Sequence, residues 1–111
     1  MRFLDRWPPG TAGGVNVFSR RNYLSGVWHH VVGQNNGGDA QLFIDGALVG
    51  MSGAAEGGST TPCRLLVGRL KLEPVDQKDA RPFEGRIGEL AVYDHPLTPE
   101  EIRRHAQSRR R

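Results

Sequence analysis

Apolar and polar residues alternate in short runs along most of this chain, the pattern of β-strands separated by turns. Such runs occupy residues 2–6, 15–19, 27–32, 41–44, 47–51, 64–69 and about 85–93. Successive side chains of a strand point to opposite faces of a sheet, so runs of this length predict strands. Helical patterns do not alternate with them, which argues against an α/β enzyme and predicts an all-β protein.

The clearest local signal is a β-hairpin. The runs 41–44 and 47–51 are separated by Asp45 and Gly46, a residue pair favoured in two-residue hairpin turns, where positive φ angles are needed. Residues 33–39 are polar and glycine-rich and predict a loop before this hairpin.

The run near residue 90 carries apolar side chains on both faces. Ile87, Ala91 and Tyr93 share one face with Glu89 among them, and Leu90 and Val92 share the other. A strand that is apolar on both faces is expected to be covered above and below. We therefore predict a sandwich of two sheets.

A short helix follows at residues 99–107. Thr98 is a favourable N-cap, the next residue is a proline, and Glu101 completes a capping box. Leu97 and Ile102 stand at the two positions of a hydrophobic staple. Because an isolated helix of this length is marginal in water, we expect Ile102 to dock it onto a sheet.

Charge and composition restrict the possible partners. The net charge is +3, but residues 1–102 hold ten Lys or Arg against all twelve Asp and Glu. The excess positive charge therefore lies in the helix end and the basic tail at 108–111, and no basic face for nucleic acid is expected. The chain contains no apolar run long enough to span a membrane. It also shows no signal peptide, because charged residues and prolines follow Met1.

The single cysteine, Cys63, excludes an internal disulfide and a multi-cysteine metal site. It follows a proline at the start of a predicted strand, which favours a small packing residue. A reactive thiol would need a neighbouring base, and no nearby residue identifies one.

Several segments together resemble the concanavalin A-like LamG and pentraxin superfamily. The similarity extends over about residues 15–105, in matching order and spacing. It is carried by residues 26–32, 42–46, 65–68, 83–94 and 97–102. The resemblance implies a two-sheet jelly-roll sandwich with a short C-terminal helix, forming one domain over residues 1–107.

The resemblance also implies a location and a class of function. Members of the superfamily commonly bind glycans, proteins or lipid head groups through edge loops, often with calcium. The opening residues 6–19 are more loosely similar to LamG-like modules of bacterial envelope proteins, which implies an extracytoplasmic location. The family has further strands before the first one seen here, so we expect the C-terminal portion of a larger domain or a shortened version.

Pentraxin-type calcium ligands are not carried over to this sequence. Where the family has a Glu-Gln-Asp cluster and a glutamine, this chain has residues 70–72, which are Leu-Lys-Leu, and a position near Arg81. We therefore expect no cofactor of this type, although calcium elsewhere stays open.

Two polar loops hold the candidate binding residues. Asn35, Asn36 and Asp39 lie in the first loop, and Asp76 and Asp79 lie in the second. Their oxygen atoms suit calcium or sugar hydroxyls. The alternative for the first loop is turn formation, for which Asn, Gly and Asp are equally suited. Interspersed cations in the second loop favour a solvated, self-neutralised segment.

These observations favour a non-catalytic binding or adhesion module for a glycan or an extracellular protein surface. The alternative is a structural accessory domain that packs on neighbouring domains and has no ligand. A glucanase fragment ranks below both. No two acidic residues occupy positions i and i+2, the spacing that places two carboxyls on one face of a strand. An open sheet edge would also permit a homodimer.

Overall fold

A computed structural model describes part of the chain, namely residues 1–5, 14–53, 66–69 and 81–108. The chain divides into two compact units, of which the first combines Met1–Ser59 with Tyr93–Arg111 and the second is Thr60–Val92. The assignment of residues 1–107 to one domain stays a prediction.

The described part of the first unit is mostly β-structure. Its elements are β1 (Arg2–Asp5), β2 (Val15–Phe18), β3 (Val31–Asn35), β4 (Asp39–Ile44), β5 (Ala47–Gly53) and helix α1 (Pro99–Ser108). Strands β1 and β2 form one antiparallel sheet, and β3, β4 and β5 form a second antiparallel sheet with β4 in its centre. Two antiparallel sheets with one short C-terminal helix confirm the predicted fold class and are consistent with a jelly-roll sandwich.

Strand β4 is buried on both faces. Ala40, Leu42 and Ile44 form one core cluster with Val17 of β2. Phe43 faces the other way and packs in a second cluster with residues of the helix segment. The three-stranded sheet is thus covered by β1 and β2 on one face and by α1 on the other.

Two glycines let the sheets approach closely around Leu42. Gly33 of β3 and Gly50 of β5 are its partners on the neighbouring strands. A Cβ atom at Gly33 would lie 2.5 Å from Cδ2 of Phe3, and one at Gly50 would lie 2.6 Å from the carbonyl oxygen of Phe18. A larger residue at Gly50 would therefore meet the backbone of β2, and one at Gly33 would displace the Phe3 ring.

Helix α1 begins as the capping pattern predicts. The backbone N–H of Thr98 donates to the Glu101 carboxylate at 2.8 Å, and the N–H of Glu101 donates to the Thr98 hydroxyl at 3.2 Å. Leu97 and Ile102 are both buried and pack with Phe43, so the predicted docking is confirmed. None of the helices formed by the described residues has the length and apolar character that crossing a bilayer requires.

A glutamine side chain ties this helix start to the sheet. The Gln34 amide nitrogen donates to the carbonyl oxygen of Leu97 at 3.1 Å, and its amide oxygen accepts from the Leu97 N–H at 2.9 Å. The same amide nitrogen also donates to Gln41 on β4 at 2.9 Å. These bonds satisfy the backbone of Leu97 where it would otherwise lose water on packing.

The predicted hairpin turn is confirmed. Asp45 and Gly46 have φ angles of 53° and 85°, both in the left-handed region. A Cβ atom at Gly46 would lie 3.2 Å from Cα of Arg103, so this turn also packs directly against α1. Gly46 is needed for the turn conformation and for the close approach of the helix.

The prediction of a strand at 27–32 was wrong in its limits. Strand β3 runs from Val31 to Asn35 and β4 begins at Asp39, so only residues 36–38 of the expected loop at 33–39 lie between the two strands. The preceding residues are fixed by Asp45, whose N–H donates to the His30 carbonyl oxygen at 2.8 Å and whose carboxylate accepts from the His30 N–H at 3.0 Å. Val27 and Trp28 are exposed. The alternating pattern begins before the strand does, because pairing with β4, and not the pattern, decides where β3 begins and ends.

The two later strand predictions were also wrong for the residues that the structure describes. No strand is assigned within 66–69 or 81–98, and the start of the run at 64–69 lies outside the described residues. Ile87, Leu90 and Val92 are 50%, 58% and 75% exposed, so this segment is not covered above and below. An alternating pattern supplies an apolar face, but a strand also needs a neighbour that pairs with its backbone.

We expect acid to weaken helix α1 through Glu101. Hydrogen bonds from the Thr98 backbone N–H and hydroxyl hold the pKa of Glu101 below its ordinary value. A carboxyl whose pKa is lowered by folding stabilises the fold above its unfolded-state pKa, and this contribution disappears as pH falls through the folded-state pKa. Thermal melts followed by circular dichroism should therefore show a falling melting temperature below about pH 4.5, the ordinary pKa of this carboxyl.

The variant Glu101→Gln isolates this effect. Glutamine still reaches the Thr98 N–H but does not titrate, so wild type and variant should converge in acid. Glu100→Gln is the matched control, because it removes a charge from the same helical turn but lies outside the capping box. Equal acid sensitivity of the wild type and Glu101→Gln would contradict this role.

Candidate functional site

The loop between β3 and β4 is held by its own asparagines. The Asn35 side-chain oxygen accepts from the Gly37 N–H at 2.8 Å. The Asn36 side-chain oxygen accepts from the N–H groups of Gly38 at 3.2 Å and Asp39 at 2.8 Å. These bonds hold the backbone of an otherwise glycine-rich loop in one conformation.

The first predicted binding loop therefore has a defined geometry. The structure brings Asn35, Asn36 and Asp39 together at one end of the three-stranded sheet. Both asparagine oxygens take part in loop hydrogen bonds, as the turn interpretation expects, and the Asp39 carboxylate lies beside Gly53 at the end of β5. The ligand-binding role of these residues stays a prediction. Asp76 and Asp79 lie outside the described residues.

Of the two pentraxin-type calcium positions, residues 70–72 lie outside the described residues, and the position near Arg81 lies within them. Within 1–5, 14–53, 66–69 and 81–108, no three His, Cys, Asp or Glu side chains cluster closely enough to hold a metal ion. Arg81, near the position of a family glutamine ligand, is exposed and cationic. A positive side chain disfavours a cation at this position.

His29 has a structural role. Its Nδ1 atom lies 2.8 Å from the Asp45 carboxylate, and its side chain is only 19% exposed. The Tyr23 ring contacts the imidazole edge-on at 5.2 Å between centroids. Together with the hydrogen bonds between Asp45 and the backbone of His30, this contact holds the segment before β3 against the hairpin turn.

Aromatic and histidine side chains cluster near the C-terminal end of helix α1. The ring of Tyr93 lies nearly parallel to that of His105, at 25° and 6.3 Å between centroids. His95 contacts Tyr93 at 6.0 Å and 73°, and His30 contacts His105 at 6.4 Å and 83°. Tyr93 remains 48% exposed although two imidazole rings lie against it. We call Tyr93, His95 and His105 the ring cluster.

A hydrogen-bonded pair borders the ring cluster. The Asp94 carboxylate lies 2.7 Å from Nδ1 of His95. This hydrogen bond is the main reason that the pKa of Asp94 is lowered, so the carboxylate stays ionised. Both side chains are mostly exposed, at 98% for Asp94 and 62% for His95. The pair can therefore accept and donate hydrogen bonds at the protein surface.

The second unit has a shallow depression of about 400 Å³. Its described lining residues are Gly68, Arg69, Arg81, Phe83 and Ile87. The Phe83 N–H donates to the Gly68 carbonyl oxygen at 2.7 Å, which joins the two described segments. The depression combines two cationic side chains with an apolar floor, but it is open and weakly enclosed.

A family model for the concanavalin A-like lectin/glucanases superfamily, Laminin_G_3, matches residues 2–103. The chain belongs to this superfamily. The match confirms the resemblance found in the sequence and extends it to β1. The lectin/glucanase superfamily includes binding proteins and enzymes, so membership by itself does not choose between them.

A solved structure supports the lectin-like fold. The chain is similar to a crystal structure of an S-layer domain-containing protein from Clostridium thermocellum, with a TM-score of 0.66 and 22% sequence identity. The similarity covers 95% of this chain and 50% of that chain, so this superfamily member spans about half the length of that structure. No curated protein matches the chain.

Sequence reasoning identified the first polar loop but not the ring cluster. The sequence pattern placed Tyr93 on a covered strand face. The spacing of Tyr93 and His105, 12 positions apart, carries no local signal, because only the turn before α1 brings their rings together.

Proposed function

We propose that this chain is a non-catalytic binding module of a cell-envelope protein and recognises a glycan or an extracellular protein surface. The observation that carries this proposal is the rigid, polar β3–β4 loop on a lectin-type sandwich. In this loop Asn35 and Asn36 hold the backbone by hydrogen bonds. A loop that is already ordered loses little conformational entropy when it binds a ligand.

Asp39 is the proposed polar contact of this loop. Its backbone is fixed by Asn36 on both sides, since its N–H donates to the Asn36 side chain and its carbonyl oxygen accepts from the Asn36 N–H at 3.1 Å. The carboxylate is a strong acceptor for sugar hydroxyls or for basic groups of a protein. Asp76 and Asp79 are proposed as further contacts from the second polar loop.

The arrangement of acidic residues in the sequence argues against hydrolysis by a retaining mechanism. A retaining glycosidase needs two carboxyls about 5–5.5 Å apart, and the acids of this sequence lack the two-residue spacing that would place two of them side by side on one strand. Glu84 and Glu89, the acids that flank the segment near residue 87, are five positions apart.

An envelope location is supported by the similarity to an S-layer domain-containing protein and by the LamG-like features of the sequence. The same similarity covers half of that protein's solved chain, which supports a role for neighbouring segments or domains in the complete protein.

The test is binding of the purified protein to a glycan array and to immobilised envelope polysaccharide. The variant Asp39→Asn keeps the side-chain shape and removes its charge. A hydrogen bond to a charged group contributes about 1.5–3 kcal/mol, so we expect the dissociation constant to rise by about 10–100-fold. Surface plasmon resonance measures this change on whichever glycan gives a signal.

Glu100→Gln is the matched control, since it removes one exposed carboxylate from α1, away from the loop. Its affinity should equal that of the wild type. Melting temperatures of both variants should stay close to the wild-type value, which separates lost contacts from lost folding. Unchanged affinity of Asp39→Asn would remove the β3–β4 loop from the proposed site.

The structural accessory role is favoured by a different observation. Phe83, Ile87, Leu90 and Val92 of the second unit are each at least half exposed. Exposed apolar side chains concentrated in one segment are typical of surfaces that pack against another domain. This alternative expects no glycan or envelope polysaccharide to bind in the experiment above.

A further inference from the structure

The ring cluster has the construction of a sugar-stacking surface. Tyr93 presents an exposed aromatic ring, which is backed by the nearly parallel imidazole of His105 and contacted by His95. The face of an aromatic ring carries negative charge density and attracts weakly positive C–H groups. A ring held by neighbours on a helix is also ordered before any ligand arrives.

Packing does not explain why this ring is exposed. Neither core cluster of the first unit contains Tyr93, whereas Leu97, four residues later, is buried against Phe43 and Ile102. The segment is therefore anchored at Leu97 and holds Tyr93 at the surface. Its ring contacts are with the imidazoles of His95 and His105, which can themselves hydrogen-bond.

Polar groups lie at the border of the aromatic surface. The Asp94 carboxylate and the His95 imidazole are hydrogen-bonded to each other at 2.7 Å and are both exposed. A carboxylate accepts hydrogen bonds from hydroxyl groups, and an imidazole nitrogen can donate or accept. A sugar ring needs this combination, because its C–H groups are apolar and its hydroxyls lie at its edge.

We propose that Tyr93, Asp94 and His95 form a binding site for a pyranose whose hydroxyls are all equatorial, as in β-1,4-linked glucose or N-acetylglucosamine. All ring C–H bonds of such a sugar are axial and give it two flat apolar faces, either of which fits one aromatic ring. Its equatorial hydroxyls reach outward to the Asp94–His95 pair. An axial hydroxyl makes one of these faces polar, so that only the other face can lie on the Tyr93 ring. This inference rests on the proposed function, because it names the sugar class and a second contact surface.

The experiment is isothermal titration calorimetry, in which the β-1,4-linked tetrasaccharides of glucose and of N-acetylglucosamine are titrated into the full chain. We expect Tyr93→Ala to lower the affinity about tenfold or more, while Tyr93→Phe retains it because the ring remains. Phe18→Ala is the matched control, because Phe18 is an aromatic residue of similar exposure, 59%, outside the ring cluster. The β-1,4-linked mannose tetrasaccharide, whose 2-hydroxyl is axial, should bind more weakly than the glucose form.

A measurement on the wild type keeps the test valid if Tyr93→Ala fails to fold. The ring resonances of Tyr93 and His95 in NMR spectra should shift together when the tetrasaccharide is added. Binding without such shifts, or binding that Tyr93→Ala leaves unchanged, overturns this site and leaves the proposed function intact. Failure of both equatorial tetrasaccharides to bind also overturns the site, whereas the glycan array with Asp39→Asn decides the proposed function separately.

Discussion

Replacing Ile102 with alanine is expected to lower the free energy of unfolding by about 2–5 kcal/mol. Ile102 has no exposed surface and packs with Phe43 and Leu97 between α1 and the three-stranded sheet. Truncation removes this contact and leaves a cavity that a rigid helix and sheet cannot close. Chemical denaturation followed by circular dichroism measures the change.

The loss of stability in Ile102→Ala should also be concentrated in one part of the structure. Hydrogen exchange should accelerate in α1 and at the Leu97 N–H, which depends on Gln34, more than in β4. Ile87→Ala is the matched control, because Ile87 is 50% exposed and should lose about 1 kcal/mol or less. If the two variants lose the same stability, α1 does not dock as described.

Replacing Leu42 with alanine should cost about 2–5 kcal/mol through the opposite face of the sheet. Leu42 is 1% exposed and lies between Gly33 and Gly50, where neighbouring strands offer no side chain to fill a cavity. The β1–β2 sheet packs over this position through Val17. We expect exchange protection to fall in β2 and β4 together, unlike the response to Ile102→Ala.

Leu48→Ala is the control for this second change. Leu48 lies on β5, next to the centre of the same sheet, but is 49% exposed. The variant Leu48→Ala removes the same side-chain atoms as Leu42→Ala but loses less buried contact. Its loss of stability should therefore be well below that of Leu42→Ala. A loss of protection confined to β4 would show that β1 and β2 are held by other contacts.

Local signals in the sequence were reliable where a few neighbouring residues decide the conformation. Thr98 and Glu101 are three positions apart, and their reciprocal hydrogen bonds form as the capping pattern predicts. Asp45 and Gly46 adopt the positive φ angles that their residue types favour. In both places the physical cause acts within one turn of the chain.

Predictions failed where strand pairing decides the outcome. The residues before Val31 alternate well, but hydrogen bonds to Asp45 hold the backbone of His30 outside the strand. Strand β3 continues through Gly33, which pairs with Leu42 of β4. The segment near Leu90 has the apolar pattern of a covered strand and is exposed in the described structure. Alternation records which faces are apolar and contains no information about the partner.

The candidate binding residues also differ in whether the sequence alone predicts them. Asn35, Asn36 and Asp39 were recognisable because polar loop residues cluster in the sequence, although their hydrogen bonds to the loop were visible only in the structure. The ring cluster was not recognisable, because Tyr93 and His105 lie 12 positions apart and their rings come together only in the folded chain.

The sequence by itself determined the family, the β-rich class, the hairpin turn and the capped helix, because each depends on residue types at short, regular spacing. Only the tertiary structure decided where β3 lies, which glycines admit the second sheet, and which rings meet beside α1. These features depend on contacts between residues distant in sequence, whose free energy exists only once the two faces of β4 have been covered.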